Sequence, residues 1–367
     1  MQKYDIAAYI WPSYTGDEPR SHIFWPEGIG EWQTVRNQAV KENGYLWNRK
    51  PLWGFENEAD PKVMEKQIEA AVKHGVNVFI YDWYWYDDRP FLENCLNDGF
   101  LKAENNTDMR FYIMWANHDA TTLWDMRLSD RDHTVVWKGA VTQEQFERIG
   151  KRWIDRYFTK ENYYKIDGRP VVSIYDIHNL ITGLGGVENT KKALLWLDEE
   201  TKKAGLPGVH VQFIRWDGHI GNYSGVDGKP VKNESALVKE LGFHSVTNYQ
   251  FVHMTDMNRD YLEAAEDVKK LWEKIGREYD VPYYPNVSVG WDNNPRFRNY
   301  IDCIAKNNTP ENFKKCLLDA KAYCDRTGVK LITVNSWNEW TETSYLEPDD
   351  LYGYGYLEAV RDVFGKE

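Results

Sequence analysis

Short apolar runs alternate with longer helix-periodic segments from one end of the 367-residue chain to the other, and this alternation limits the fold more than any other feature. The runs are DIAAYIW (5–11), VNVFIYDWYW (76–85), RFYIMWA (110–116), PVVSIYD (170–176), VHVQFIRW (209–216), SVTNYQFV (245–252), YYPNVSVGW (283–291) and KLITVNSW (330–337). They are rich in β-branched and aromatic residues, as buried parallel strands should be. Between them, PKVMEKQIEAAVKHG (61–75) sets Val63, Met64, Ile68, Ala71 and Val72 on one helical face, with Gly75 as C-cap. Further helices are predicted over 142–158, 188–204, 258–279 and 309–327, and over the closing GYLEAVRDVF. Thr309-Pro310-Glu311-Asn312 reads as an N-cap followed by proline in the first turn. Eight β-then-α units predict an α/β fold of the (β/α)8 TIM-barrel type, a single domain over 1–367 with no dividing linker. The competing topology, an open doubly wound sheet, usually carries a Gly-rich phosphate turn after the first strand, and Pro12-Ser13-Tyr14 is not one. Instead an extended first βα loop, from about residue 12 to 60, holds Trp25, Trp32, Trp47 and Trp53 and is expected to form one wall of a cleft.

A barrel of this kind gathers its site at the C-terminal ends of the strands. Polar and aromatic residues pile up there and not at the strand starts. In chain order the candidate substrate contacts are Tyr9 and Trp11, then Asp82 and Trp83, then Trp115, Asn117 and His118. Tyr175, Arg215 and Tyr249 follow, and then Trp291, Asp292, Arg296, Trp337 and Asn338. Trp11, Trp83, Trp115 and Trp291 are the main stacking candidates. The aromatic content, 15% with 17 Trp and 24 Tyr, fits that reading, because a sugar offers an apolar C–H face and a rim of hydroxyls. Aromatic core packing would raise the same count.

Other chemistries find less support. A net charge of -12 argues against nucleic acid and against anionic membranes, which recruit basic faces. No run approaches the ~18 apolar residues of a membrane span, and the N-terminus lacks a charged-then-apolar signal region. Cytoplasmic location is therefore expected for the chain as written, or a periplasmic or secreted one if a signal peptide was trimmed. The four cysteines, Cys95, Cys303, Cys316 and Cys324, form no CxxC pair. His118 and His178 sit near strand ends without a metal-ligand spacing. Asp130-Arg131-Asp132 has the D-x-D spacing of some nucleotide-sugar transferases but closes no apolar strand. No metal and no cofactor is expected, and the oligomeric state is left open.

The stretch SWNEWTETSYLEPDD (336–350) holds the sharpest chemical signal, Glu339 and Glu342 between tryptophans. Residues three apart on a continuous strand point to opposite faces, so the two share a cleft only if the chain curls into a turn near Asn338. Glycoside cleavage needs one group to protonate the leaving oxygen and a second to assist attack at the anomeric carbon. Nearby tryptophans would desolvate one carboxyl and hold it protonated.

Several blocks, in this order, resemble the WbsX-type, glycoside hydrolase family 99-like domain. They are GIGEWQTV (28–35), YDWYWYDDRPFLE (81–93), MRFYIMWANHD (109–119), KIDGRPVVSIYD (165–176), VGWDNNPR (289–296) and the VNSWNEWTETSYLEPDD region. The first adds Glu31 and Trp32 to the candidate contacts. The resemblance implies a (β/α)8 barrel and a retaining glycoside hydrolase, because family 99 proper contains endo-acting α-mannosidases. It also implies that Glu339 is the base helping the substrate's own 2-hydroxyl attack the anomeric carbon, and that Glu342 is the acid at the leaving oxygen. The chain departs from the family pattern at Thr343-Ser344 and at His118-Asp119. A WbsX-type glycosyltransferase of cell-surface polysaccharide synthesis and a non-catalytic glycan-binding barrel are the competing expectations.

Overall fold

The computed structural model describes residues 3–131 and 133–365. Eight parallel strands form the central sheet: β1 (Asp5–Ile10), β2 (Val78–Tyr86), β3 (Arg110–Trp115), β4 (Arg169–Ile174), β5 (His210–Ile214), β6 (Ser245–Thr247), β7 (Asn286–Ser288) and β8 (Leu331–Asn335). Their spatial order is β6-β5-β4-β3-β2-β1-β8-β7. A parallel bridge from Val246 to Tyr283 joins β6 to the chain just ahead of β7 and nearly closes the ring. This is the predicted (β/α)8 barrel.

The helices follow the predicted positions with three physical differences. The 61–73 helix buries Met64, Gln67, Ile68 and Ala71, while Val72 is exposed. Gln67 takes the inner position because its side chain meets the indole of Trp337 and the carboxyl of Glu58. The predicted 142–158 helix is α-helical over Gln143–Trp153 and then widens into a π-helical turn at Ile154–Phe158. Three helices were not anticipated: the five-residue Trp32–Arg36 inside the first loop, and Ile177–Leu184 and Glu234–Leu241, each eight residues long; all are too short to show periodicity. The two longer ones are bracketed by readable signals: Asp176 and Asn233 cap the first turns, and Gly185 and Gly242 end the helices at φ 79°. The expected N-cap at Thr309 is present, while the 61–73 helix is capped by His74, with Gly75 following it at φ 92°.

The barrel interior is polar, unlike the branched aliphatic layers common in this fold. Ser173 donates to Gln212 (2.7 Å), Gln212 in turn to Ser245 (3.3 Å), and His210 meets the same serine (2.7 Å). Thr247 and Thr333 pair at 3.0 Å, and Asn286 donates to Thr333 (3.1 Å). Trp83, Trp115 and Trp337 lie on the opposite parity, between sheet and helices. Trp83 and Trp115 both pack edge-on against Trp153 of the 143–153 helix. Trp337 packs on Phe79 and Trp53. The expectation that Trp83 and Trp115 stack on a sugar does not fit these positions, because side chains alternate along a strand and theirs point away from the barrel axis.

Truncating Trp115 or Trp153 to alanine is therefore expected to cost about 3–5 kcal/mol of folding stability, because each leaves a large cavity in a packed layer. Urea unfolding measures this, and a change under 1 kcal/mol would contradict the packing role.

Candidate active site

After β8 the chain makes a small hairpin. Asn338–Glu339 pairs antiparallel with Ser344–Tyr345 around a 3-10 turn at Trp340–Glu342. Thr343 closes the turn at φ 54°, where a β-branched residue is unusual. Two hydrogen bonds hold it: Trp47 Nε1 donates to Thr343 Oγ1 (2.8 Å), which donates to the Asp292 carbonyl (2.8 Å). This turn takes the chain off the strand direction and brings Glu339 and Glu342 to one cavity.

One cation sits between them. Arg296 Nη1 forms a short ion pair with Glu342 Oε1, Nη2 lies 3.2 Å from Glu339 Oε2, and Nε lies 3.4 Å from Glu31 Oε1. Glu31, from the first loop, also accepts from Trp11 Nε1 (2.5 Å) and Thr341 Oγ1 (3.1 Å). On the other side of Glu339, the Tyr249 hydroxyl lies 3.0 Å from Glu339 Oε1 and 3.0 Å from Asp82 Oδ2. Burial pushes the carboxyls of Glu31, Asp82 and Glu339 above their usual range. Glu342 adds to the rise at Glu339 by charge repulsion, and Arg296 opposes it. Glu342 Oε2 and Asp82 Oδ1 are buried and have no hydrogen-bond partner among the described residues.

These groups line a cavity of about 320 Å³, within the ~300–1,000 Å³ range of small-molecule sites. Of the residues singled out in the sequence, Trp11, Asp82, His118, Tyr175, Tyr249, Trp291, Arg296, Glu339 and Glu342 line it together. The others lie elsewhere. Tyr9 is beneath the site, donating to the Asn248 carbonyl (3.1 Å) and packed on Tyr249. Glu31 is behind Arg296, and Trp32 packs on Tyr14 and Trp340. Asn117 ties the ends of β3 and β4 through the Asp176 backbone. Arg215 pairs with Glu234 outside the barrel, 3.3 Å away. Asp292 accepts from Tyr45 and from Asn294. Asn338 pins the end of β1 to the turn after β8, receiving from Trp11 N (2.8 Å) and donating to Glu58 (3.0 Å). Burial lifts Glu58 to about 7. The first loop supplies no lining residue beyond Trp11, so it is a support behind the cavity rather than its wall.

Sequence reasoning passed over Tyr84, Trp124, Trp216 and His253, which also line the cavity. Strand parity would have found Tyr84 beside Asp82 and Trp216 beside Ile214. No local signal marks Trp124, which comes from the loop after β3. Trp216 stacks flat on His253, with centroids 4.4 Å apart. A neighbouring cavity of about 230 Å³ shares Tyr175 and Trp216 as its wall. His118 donates from Nδ1 to the Asp119 carbonyl (2.9 Å), and burial lowers its pKa, so the ring is held neutral. Among the described residues no group of three or more His, Cys, Asp or Glu side chains could hold a metal ion. In the D-x-D stretch, Asp130 accepts from the backbone N–H groups of Arg298 and Asn299, and Asp132 lies outside the described residues.

Several solved glycoside hydrolases share this barrel fold. A GH99 endo-alpha-mannosidase from Bacteroides thetaiotaomicron superposes with a TM-score of 0.59 at 13% identity, covering 98% of this chain and 95% of that one. A glycoside hydrolase-like protein gives 0.60 at 14%, over 100% and 95%. A family 1 β-glucosidase from Thermotoga maritima gives 0.51 at 11%, over 100% and 99%. At such identities the likeness is one of fold. Residues 6–360 match the family described as Glycosyltransferase WbsX, and the chain belongs to that family. Two curated relatives from strains of Xanthomonas campestris pv. campestris, each called uncharacterized protein WxcX, are 25% identical over 354 residues. The match covers 94% of this chain and 47% of theirs, so the chain spans about half the length of those relatives. Among the described residues no helix is long and apolar enough to cross a membrane.

Arg296 is expected to control stability through pH. Glu31, Asp82 and Glu339 bind protons more tightly folded than unfolded, so their contribution is full at low pH and is lost as pH rises through their raised values. Arg296→Gln removes the cation that opposes this loss. It should destabilise the protein by roughly 3–5 kcal/mol at neutral pH, and by clearly less near pH ~5, where the carboxyls can stay neutral. Urea unfolding at both pH values checks this; equal losses would refute it.

Proposed function

We propose that the barrel binds a glycan and cleaves a glycosidic bond with retention of configuration, using Glu339 and Glu342. In this reading Glu339 takes the proton of the substrate's 2-hydroxyl as that oxygen attacks the anomeric carbon. Glu342 protonates the departing oxygen, and in the second step it takes a proton from the incoming water as that water bonds to the anomeric carbon, the bond from this carbon to the 2-oxygen breaks, and Glu339 returns its proton to the 2-oxygen. No covalent bond to the protein forms. The observation that carries the reading is the unpartnered Glu342 Oε2, facing a cavity whose walls are Trp11, Trp124, Tyr175 and Trp291. Flat aromatic faces beside a free carboxyl oxygen suit a sugar ring with its leaving group. The ion pair with Arg296 keeps both glutamates oriented before substrate arrives.

A second reading is favoured by the family's own description as glycosyltransferases. The same two carboxyls would serve it if the second step delivered a sugar hydroxyl in place of water. Product analysis with and without an acceptor saccharide separates the two.

The test begins with a screen of oligosaccharides and aryl glycosides for cleavage. Glu342→Gln should lower the rate on a natural glycoside by about 10²–10⁴-fold. On aryl glycosides, whose leaving group needs no proton, the loss should be much smaller. Glu339→Gln should slow both kinds. An unchanged rate on the natural glycoside in Glu342→Gln would remove the assignment, and an inverted first product would remove the 2-hydroxyl route. Glycan binding that survives both substitutions, with no cleavage by the native protein, would leave a binding barrel.

A further inference from the structure

We propose that Asp82 is kept as a neutral carboxylic acid in the resting site, donating from Oδ2 to the Tyr249 hydroxyl so that Tyr249 gives its own proton to Glu339. Asp82 Oδ1 is then left as an acceptor for a substrate hydroxyl. The proposal rests on the reading of Glu339 as a base, and it names what keeps that base ionised.

The argument is a count of protons. The Tyr249 oxygen lies 3.0 Å from a carboxyl oxygen of Asp82 and 3.0 Å from one of Glu339. A phenol carries one proton and can donate to only one of them. Were both carboxyls ionised, the other contact would set two lone pairs against each other in a buried place. One carboxyl therefore carries a proton and donates to the phenol oxygen, which gives a chain running in one direction.

Which end holds the proton is decided by the cation. Glu339 has Arg296 Nη2 at 3.2 Å, while the hydrogen bond of Asp82 is to Tyr249 alone and its other oxygen is unpartnered. The titratable groups facing Asp82 are Tyr9, Tyr84, Tyr175 and Tyr249 from the neighbouring strand ends, and Glu339 and Glu342 from the turn after β8. The phenols are neutral and give Asp82 no counter-charge, Glu342 disfavours a second negative charge beside it, and only the hydrogen bond of Tyr249 acts the other way. Burial acts with Glu342 and lifts Asp82 well above the ordinary carboxylate range. The chain thus runs from Asp82 through Tyr249 to Glu339. Asp82 is on that account a positioning residue for the base: it fixes the direction of the Tyr249 hydroxyl.

Carboxyl-¹³C-aspartate NMR of the substrate-free wild-type protein tests this without any activity. One aspartate should remain protonated at neutral pH, and its resonance should be missing from the spectrum of Asp82→Asn. A wild-type spectrum in which every aspartate is ionised would overturn the proposal, as would a protonated resonance that persists in Asp82→Asn. This readout is independent of which bond the protein cleaves, so it can fail while the glycosidase reading stands, and the reverse. On a cleaved substrate, Asp82→Asn, which keeps a donor toward Tyr249, should cost about tenfold, and Asp82→Leu, which strands the phenol oxygen, about a hundredfold or more. The fall in rate on the alkaline side should move to higher pH in Asp82→Asn. An Asn variant as impaired as the Leu variant would mean that a charge is needed, and would overturn the proposal.

Discussion

A single guanidinium, buried and shared among three carboxyls, ties the top of this barrel together. Arg296 meets Glu31 from the first loop and both Glu339 and Glu342 from the turn after β8. A buried charge is costly unless it is paired and hydrogen-bonded, so the loops that carry these groups must close on one another. The segment that carries Arg296 is itself held from below. Gln38 donates to the Pro295 carbonyl (2.9 Å), Lys41 to that of Asn294 (3.0 Å), and Ser129 to that of Arg296. The long first loop is thus a brace for the cation. Its tryptophans follow the same logic, since Trp47 fixes Thr343 and Trp32 packs on Trp340.

One positive charge among so many acids leaves an excess of carboxyls. The site answers with protons, which burial makes easy to retain on Glu31 and Asp82, while Arg296 works against one on Glu339. The polar interior of the barrel continues this pattern below the cavity. Gln212, Ser245, Thr247, Thr333 and Asn286 are satisfied by each other, so the floor of the site is a set of hydrogen bonds rather than an apolar plug. Such a network fixes side-chain directions more sharply than branched aliphatics do, at the cost of tolerating no lost partner.

Much of this was legible beforehand. Eight apolar runs of strand length, spaced by helical segments, leave few topologies other than a barrel, and β1, β4 and β8 fall within a residue or two of the expected bounds. β6 and β7 are shorter than the runs that announced them, because regular strand pairing covers only Ser245–Thr247 and Asn286–Ser288. Asp82 and Trp83 looked equivalent as candidates, yet one faces the cavity and the other Trp153. Period-2 alternation separates them only when the register is known, and an aromatic-rich strand that is buried on both sides hides it. Arg215 was the candidate at the end of β5, yet it pairs with Glu234 of the 234–241 helix while its neighbour Trp216 lines the cavity.

The sequence by itself determined the barrel and the pair of glutamates at the end of its last strand, because hydrophobic periodicity and a short motif are local properties. The tertiary structure decided everything that depends on distant residues meeting. Arg296 is drawn to the glutamates across 43 and 46 positions of chain, and Tyr249 bridges Glu339 to Asp82, which is 167 positions away. Those meetings set which carboxyls carry protons, since a pKa is fixed by burial and by neighbouring charge, and neither can be read from a linear order of residues.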